Sequence, residues 1–214
     1  MDNTIYVLGV GSNSIVTIDL AEACGYQIGG LFHYKAGLTG EEVCGHQIIG
    51  TNDELFASSL IGKNFALSMG DNEIRSNLFG LIVEKGGNIP TLIHPSAIVS
   101  KHAKCKSGVQ IYANSIVDPD VIIEEDTIIS AKCTVLHGCR IGKHCFFAPD
   151  AVIGAKTQVD DFAFVGLNAT LISTKARYIG KHAVIGAAAV VTKPVEAWKI
   201  VAGMPASEIR KERL

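Results

Sequence analysis

Seven histidines invite the first question, because a neutral imidazole with a pKa near ~6.5 can take a proton from an amine or a hydroxyl. One of them is set apart by position. His102, His144 and His182 each stand three places after an apolar residue of a repeating pattern, whereas His137 stands two places after Val135. A second stretch with chemical potential is Gly9-Val10-Gly11-Ser12-Asn13-Ser14, between an apolar run and a helical pattern. Glycines in such a turn let backbone N–H groups approach a phosphate at a helix N-terminus. An NAD site fits poorly. Ser14 replaces the third glycine, and His33 and Tyr34 stand where a ribose-binding acid belongs. A phosphate-bearing ligand of another kind, or a tight turn with no ligand, are the two readings that remain.

The element that must position His137 is a repeat of six residues. From Ile93 every sixth position is apolar through Val99, Cys105, Ile111, Val117, Ile123, Ile129, Val135, Ile141, Phe147, Ile153, Val159, Val165 and Leu171. Four places after each, the residues are mostly small, as at Ala97, Ala103, Ser115, Cys133, Ala151 and Ala169. A short fixed period of this kind predicts a β-solenoid in which each hexad is one strand and a corner. Three hexads close a triangular coil, so residues eighteen apart stack at about 4.8 Å. Between Leu171 and Ile179 the spacing grows to eight, so residues 173–177 must bulge. Lys175 and Arg177 in that bulge could meet phosphates, although a tolerated insertion is favoured.

Residues 1–90 read as a different unit, and residues 91–214 as the solenoid with a C-terminal tail. Strands are expected over 4–10, 27–32 and 64–69. Helices are expected after the first strand and after Gly70-Asp71-Asn72-Glu73, the latter with a buried stripe of Ile74, Leu78, Leu81 and Ile82. Alternation of this spacing means a small parallel α/β sheet, Rossmann-like in outline. Gly70, Asp71 and Arg75 lie at a neighbouring strand end, the usual ligand edge of such sheets.

Composition narrows the partners. A formal net charge of −2 and a pI near 6.4 argue against nucleic acid or an acidic membrane face. No apolar run approaches the roughly eighteen residues of a membrane span, and the first residues lack a signal-peptide pattern, so a cytoplasmic protein is expected. Of six cysteines, Cys105 takes a large apolar slot, and Cys133, Cys139 and Cys145 take small ones. They read as core packing, with Cys24 and Cys44 unpaired. No metal is expected: His137 and His144 are seven apart, and Gly142 occupies the place five on.

Several segments together resemble hexapeptide-repeat sugar acyltransferases with an N-terminal nucleotide-sugar-binding domain. This family includes bacillosamine and perosamine N-acetyltransferases and sialic acid O-acetyltransferases. The segments are the 9–14 turn, Gly70-Asp71-Asn72-Glu73-Ile74-Arg75, Leu92-Ile93-His94-Pro95-Ser96-Ala97 and Val135-Leu136-His137-Gly138. Further on come Phe147-Ala148-Pro149, Val165-Gly166-Leu167-Asn168, Val184-Ile185-Gly186-Ala187 and Val201-Ala202-Gly203-Met204-Pro205-Ala206. The resemblance implies a homotrimer of left-handed parallel β-helices, acetyl-CoA in the groove between two solenoids, and a sugar nucleotide on the α/β domain. It implies His137 as general base, and Ala155, Leu167 and Ala187 as CoA contacts, with Gly166 and Gly186 keeping the groove open. It also implies Gly9, Gly11, Ser12, Asn13, His33 and Tyr34 as substrate contacts, with Gly70, Asp71 and Arg75 beside them.

Three departures from the family pattern stand out. Similar N-acetyltransferases often place a carboxylate beside the histidine, where this chain has Leu136 and Gly138; glycine after the histidine is also the motif of sialic acid O-acetyltransferases. Asp120, eighteen residues before Gly138, is a geometric candidate for the missing acid, and a turn residue in Asp-Pro-Asp otherwise. Asn13 stands where many relatives have histidine, and His33–Tyr34 where relatives often have aspartates. The expected activity is acetyl transfer from acetyl-CoA to the amine of a nucleotide-linked amino sugar in bacterial surface glycan assembly. O-acetylation of a sialic-acid-like sugar and a non-catalytic scaffold are the alternatives. A covalent acyl-Cys139 is disfavoured because its slot points inward.

Overall fold

A computed structural model of the chain describes residues 3–209. The chain divides into two compact units, one up to residue 95 and one from residue 96. In the first, β1 (Thr4–Leu8), α1 (Ser12–Ala23), β2 (Gln27–His33), β3 (Glu42–Val43), β4 (His46–Thr51), α2 (Asn52–Phe56), β5 (Asn64–Leu67) and α3 (Asn72–Glu84) follow one another. The sheet runs β3-β4-β2-β1-β5. β1 pairs parallel with β2 and β5, β2 with β4, and only the short β3 runs antiparallel to its neighbour β4. Ile5, Val7, Leu31, Phe65 and Leu67 are fully buried, which is what strands covered on both faces require.

The polar stretch between the second and third expected strands holds β3, β4 and α2. Their signal is weak because β4 alternates, with Ile48 buried and Ile49 46% exposed. The stripe expected on α3 is only partly buried. Ile82 is fully covered, but Ile74 is 53% and Leu81 39% exposed, and Arg75 takes the buried place.

The second unit is a parallel β-helix of two-residue strands. Its first face stacks Ile98–Val99, Ile116–Val117, Thr134–Val135, Val152–Ile153, Thr170–Leu171 and Val190–Val191. The second runs from Lys104–Cys105 to Tyr178–Ile179, and the third passes through Gln110–Ile111, Ile128–Ile129, Phe146–Phe147, Phe164–Val165, Val184–Ile185 and Ile200–Ala202. Every pairing before the bulge is in register eighteen residues apart, as Val117↔Val135 and Ile123↔Ile141. One apolar side chain of each strand points inward and is sealed by the small residue of the next corner, so Ile111 through Val165 are 1% exposed or less. Ile93 departs from this: it is 37% exposed and Leu92 is buried in its place.

At the corners from Gly108 to Ala188 the third residue turns with positive φ, a conformation that non-glycine residues adopt only when their surroundings enforce it. Asp126, His144, Phe162, His182 and Trp198 share this place on the second corner, with φ between 55 and 64°. Their rings form a ladder: His144–Phe162 are tilted at 5.0 Å, while Phe162–His182 and His182–Trp198 stack at 4.8 and 3.8 Å. The ladder rests on Asp126, whose Oδ2 lies 2.8 Å from His144 Nδ1.

Candidate functional site

His137 lies on the first corner, between Val135, whose burial anchors the strand, and Cys139, whose Sγ points inward. The spacing difference noted in the sequence now has a cause for two of the three other histidines. His144 and His182 occupy the positive-φ position, whereas His137 precedes it and Gly138 (φ +73°) takes the turn. His137 therefore stands out from the corner with its side chain 59% exposed. Cys139 is fully buried, its Sγ donating to the Gly154 carbonyl at 3.2 Å, and burial pushes its thiol pKa up. A thiolate nucleophile there has no support.

The carboxylate beside His137 is Asp118, not Asp120. Asp118 Oδ2 accepts the His137 backbone N–H at 3.2 Å and lies 4.0 Å from Nδ1. Asp120 stacks under Gly138 but turns with φ +57°, and its Oδ1 sits 3.0 Å from Arg140 Nη2. Arg140 also donates to the Asp120 carbonyl. The count of eighteen names the residue below; it does not say where that residue's side chain points. Asp118, nineteen residues back, reaches up across the step.

The residues implied for CoA fall on two corners. Ala155 is one coil beyond His137 on the first corner, its N–H donating to Ser173 Oγ at 2.9 Å. Leu167, 53% exposed, and Ala187, also exposed, occupy the third corner. The small residues leave room for a flat arm on either corner. Gly166 serves the coil itself: a Cβ there would meet the Ala187 nitrogen at 2.6 Å, and one on Gly186 would meet Ala202 Cβ at 2.9 Å. Both glycines permit coils to stack closely, so holding a groove open is not needed to explain them. The bulge closes on itself, with Ala176 N–H donating to Ile172 O at 2.9 Å and Ala176 filling the small inward slot. Lys175 and Arg177 are exposed on it.

A cavity of about 450 Å³ opens at the carboxyl edge of the α/β sheet, lined by the 9–13 turn, His33, Tyr34, Asn52, Ser68, Met69, Gly70, Ile74 and Leu78. The turn is built rather than loose. Ser68 Oγ bonds the carbonyls of Leu8 and Gly9 at 3.0 Å each. Buried Ser14 closes it from the other side, accepting from the Gly11 N–H at 3.2 Å and donating to the Gly11 carbonyl at 2.6 Å. α1 has no side-chain cap and no acidic residue in its first turn, which leaves its positive end to an anion. α3 is the opposite. Asp71 Oδ1 accepts from Glu73 N at 2.9 Å and Ile74 N at 3.0 Å, so a carboxylate already fills that terminus.

Two expected ligand residues are thereby corrected. Asp71 caps α3, and Arg75 is fully buried, its guanidinium donating to Met69 O and Asn72 Oδ1 at 3.0 Å each. Neither lines the cavity; Arg75 holds the Met69–Gly70 turn that does. His33 is 5% exposed, and its Nδ1 accepts from Lys35 N at 3.1 Å. Burial, and secondarily the Lys35 charge, hold its pKa below the usual histidine range, against hydrogen bonds to the Lys35 and Val10 backbone. Asn52, Ser68, Met69, Ile74 and Leu78 are cavity residues that sequence reasoning had not brought into the site. No helix among the described residues is long and apolar enough to cross a membrane.

The repeat that builds this architecture is similar to that of hexapeptide-repeat transferases. The model of the bacterial transferase hexapeptide (six repeats) matches residues 120–155. PerB from Caulobacter crescentus, solved in complex with CoA and GDP-perosamine, is similar over 97% of both chains, with 26% identity and a TM-score of 0.89. The acetyltransferase domain of PglB from Neisseria gonorrhoeae FA1090, solved with acetyl coenzyme A, is similar over 98% of this chain and 100% of its own, with the same identity and score. A UDP-3-O-acylglucosamine N-acyltransferase from Caulobacter sp. (strain K31) is 36% identical over 110 residues, 50% of this chain and 32% of the relative. One from Paracidovorax citrulli (strain AAC00-1) is 33% identical over 72 residues, 34% of this chain and 20% of the relative. The chain spans a third or less of the length of these curated relatives.

Proposed function

We propose that this chain is an acetyl-CoA-dependent N-acetyltransferase acting on an amino sugar carried by a nucleotide, in bacterial surface glycan assembly. The observation that carries the reading is full-length similarity to two acetyltransferase structures, one holding CoA with a nucleotide sugar and one acetyl-CoA. Acetyl-CoA supplies the acyl group as a thioester. His137 takes the proton from the acceptor amine. Its Nδ1 is the ring nitrogen nearer Asp118, which leaves Nε2 as the base. Asp118 holds the backbone of His137 and places a carboxylate oxygen 4.0 Å from Nδ1. The 9–13 turn and the uncapped start of α1 hold the diphosphate.

The working form is a homotrimer of left-handed β-helices in the cytoplasm, where acetyl-CoA is available. One chain puts Ala155 beside His137 but Leu167 and Ala187 on another corner, so a second copy is needed to face them. Outward rows of Ile98 and Ile116, 67% and 38% exposed, supply apolar surface for such packing.

The test is thiol release from acetyl-CoA with UDP-, GDP-, dTDP- and CMP-linked sugars bearing free amines or hydroxyls, for wild type and His137→Ala. Turnover with one amino-sugar class, reduced about 10²–10⁴-fold in the variant, is expected. Turnover only with hydroxyl acceptors would make it an O-acetyltransferase, and no CoA binding would make it a scaffold.

A further inference from the structure

The cavity in the α/β unit is asymmetric about its anion-binding turn. On one side lie Met69, Ile74 and Leu78; on the other, at the ends of β2 and β4, lie His33, Tyr34 and Asn52. The first side is apolar. The second offers an aromatic ring, 70% exposed on Tyr34, and one side-chain amide. Asn52 follows Thr51, which pairs with His33 across β2 and β4, so the amide and the ring belong to adjacent strand ends.

Asn52 is not occupied in closing its own helix. Thr51 and Glu54 do that reciprocally, Glu54 N–H donating to Thr51 Oγ1 at 3.2 Å and Thr51 N–H to Glu54 Oε2 at 2.7 Å. Asn52 Oδ1 is buried with no hydrogen-bond partner among the described residues. A buried acceptor left unmatched is costly, and a turn of the carboxamide that brings it to face the cavity would let a ligand N–H or O–H match it. In parallel α/β sheets with a glycine turn after the first strand, the end of the second strand receives the nucleoside. A base needs a flat surface for its face and an amide for its edge, and this end of the cavity has both.

We propose that Asn52 is the residue that reads the nucleobase of the sugar nucleotide, by hydrogen bonds from its carboxamide to the base edge beside Tyr34. The proposal rests on the nucleotide-sugar reading above and adds to it a specificity-determining residue. A carboxamide accepts and donates side by side, so it suits a ring N–H next to a carbonyl. Among the described residues no carboxylate lines this end of the cavity to hold a ribose diol. The base therefore decides affinity, and the 2′-hydroxyl contributes little.

The test is calorimetric binding of UDP, dTDP, GDP and ADP to the full chain and to Asn52→Ala and Asn52→Asp, with circular dichroism melts as a folding check. For the wild type one base should bind best, with UDP and dTDP alike if uracil and thymine are the preferred pair. Asn52→Ala should weaken the best nucleotide roughly tenfold or more and compress the spread among the four. Asn52→Asp is nearly isosteric but cannot donate. It should move the order towards GDP, whose guanine presents two adjacent N–H donors, and away from UDP and dTDP, whose imide N–H lies between carbonyls. An unchanged order in both variants, with the wild type binding nucleotides, overturns the role of Asn52 alone. No nucleotide binding by the wild type overturns the nucleotide-sugar reading, and this inference with it.

Discussion

The Asp118 carboxylate and the His137 backbone N–H meet at 3.2 Å across two consecutive coils, and the same oxygen lies 4.0 Å from the imidazole Nδ1. Asp118→Ala should therefore lower kcat about tenfold or more, through loss of a charge-bearing hydrogen bond and of a carboxylate near the ring. Asp120→Asn should leave kcat within about twofold, since its exposed pair with Arg140 is worth little. Steady-state kinetics on both variants compares the two acids directly, and equal effects would remove Asp118 from the mechanism.

Gly154→Ala should destabilise the solenoid without touching a ligand. A Cβ there would run into the backbone of Leu171 and would lie 2.8 Å from Ser173 Cα. Backbone cannot swing aside as a side chain can. The expected loss is about 1–3 kcal/mol, or roughly 2–4 °C in Tm per kcal/mol at this chain length. A calorimetric melt checks it.

The α/β unit should lose stability on acidification through His33. Its folded pKa is lowered, first by burial and then by the Lys35 charge. Between that value and the unfolded value near ~6.5, the unfolded chain binds the extra proton and the folded chain does not. The contribution is thus fully present above pH ~6.5 and is lost as pH falls through the folded pKa. His33→Gln should flatten this part of the stability–pH curve, measured by chemical denaturation across pH 5–8.

His182→Ala should break the ring ladder at its centre. It removes the contacts with Phe162 and Trp198, and ring pairs of this kind contribute about 0.5–1.5 kcal/mol each. Trp198 is the chain's single tryptophan, so a change in its emission reports the loss directly. An unchanged spectrum would mean that the stack does not form in solution.

The solenoid was legible in the sequence because its period repeats a physical necessity: one inward side chain and one small corner residue per hexad. Register eighteen apart followed from the same count. Position along the chain did not specify side-chain direction, and so the count selected Asp120 where Asp118 does the reaching. Likewise Arg75 read as a ligand because the strand end beside it is the usual ligand edge of such sheets. Its burial depends on carbonyl and amide partners, Met69 and Asn72, that only the folded turn brings round. Asn52 had no motif to announce it. It enters the cavity because β4, itself obscured by Ile49 facing outward, ends beside β2.

The last strand of the third face runs the wrong way. Ser207–Glu208 pairs antiparallel with Val201–Ala202, and Lys199 Nζ meets Glu208 Oε1 at 2.7 Å. A column of parallel strands in perfect register is a template that another identical column could extend from its open rim, as in fibrils. The reversal covers that rim on one face with a two-residue strand carrying charge. What grows by simple repetition is thereby given a terminus, and the column keeps a finite length.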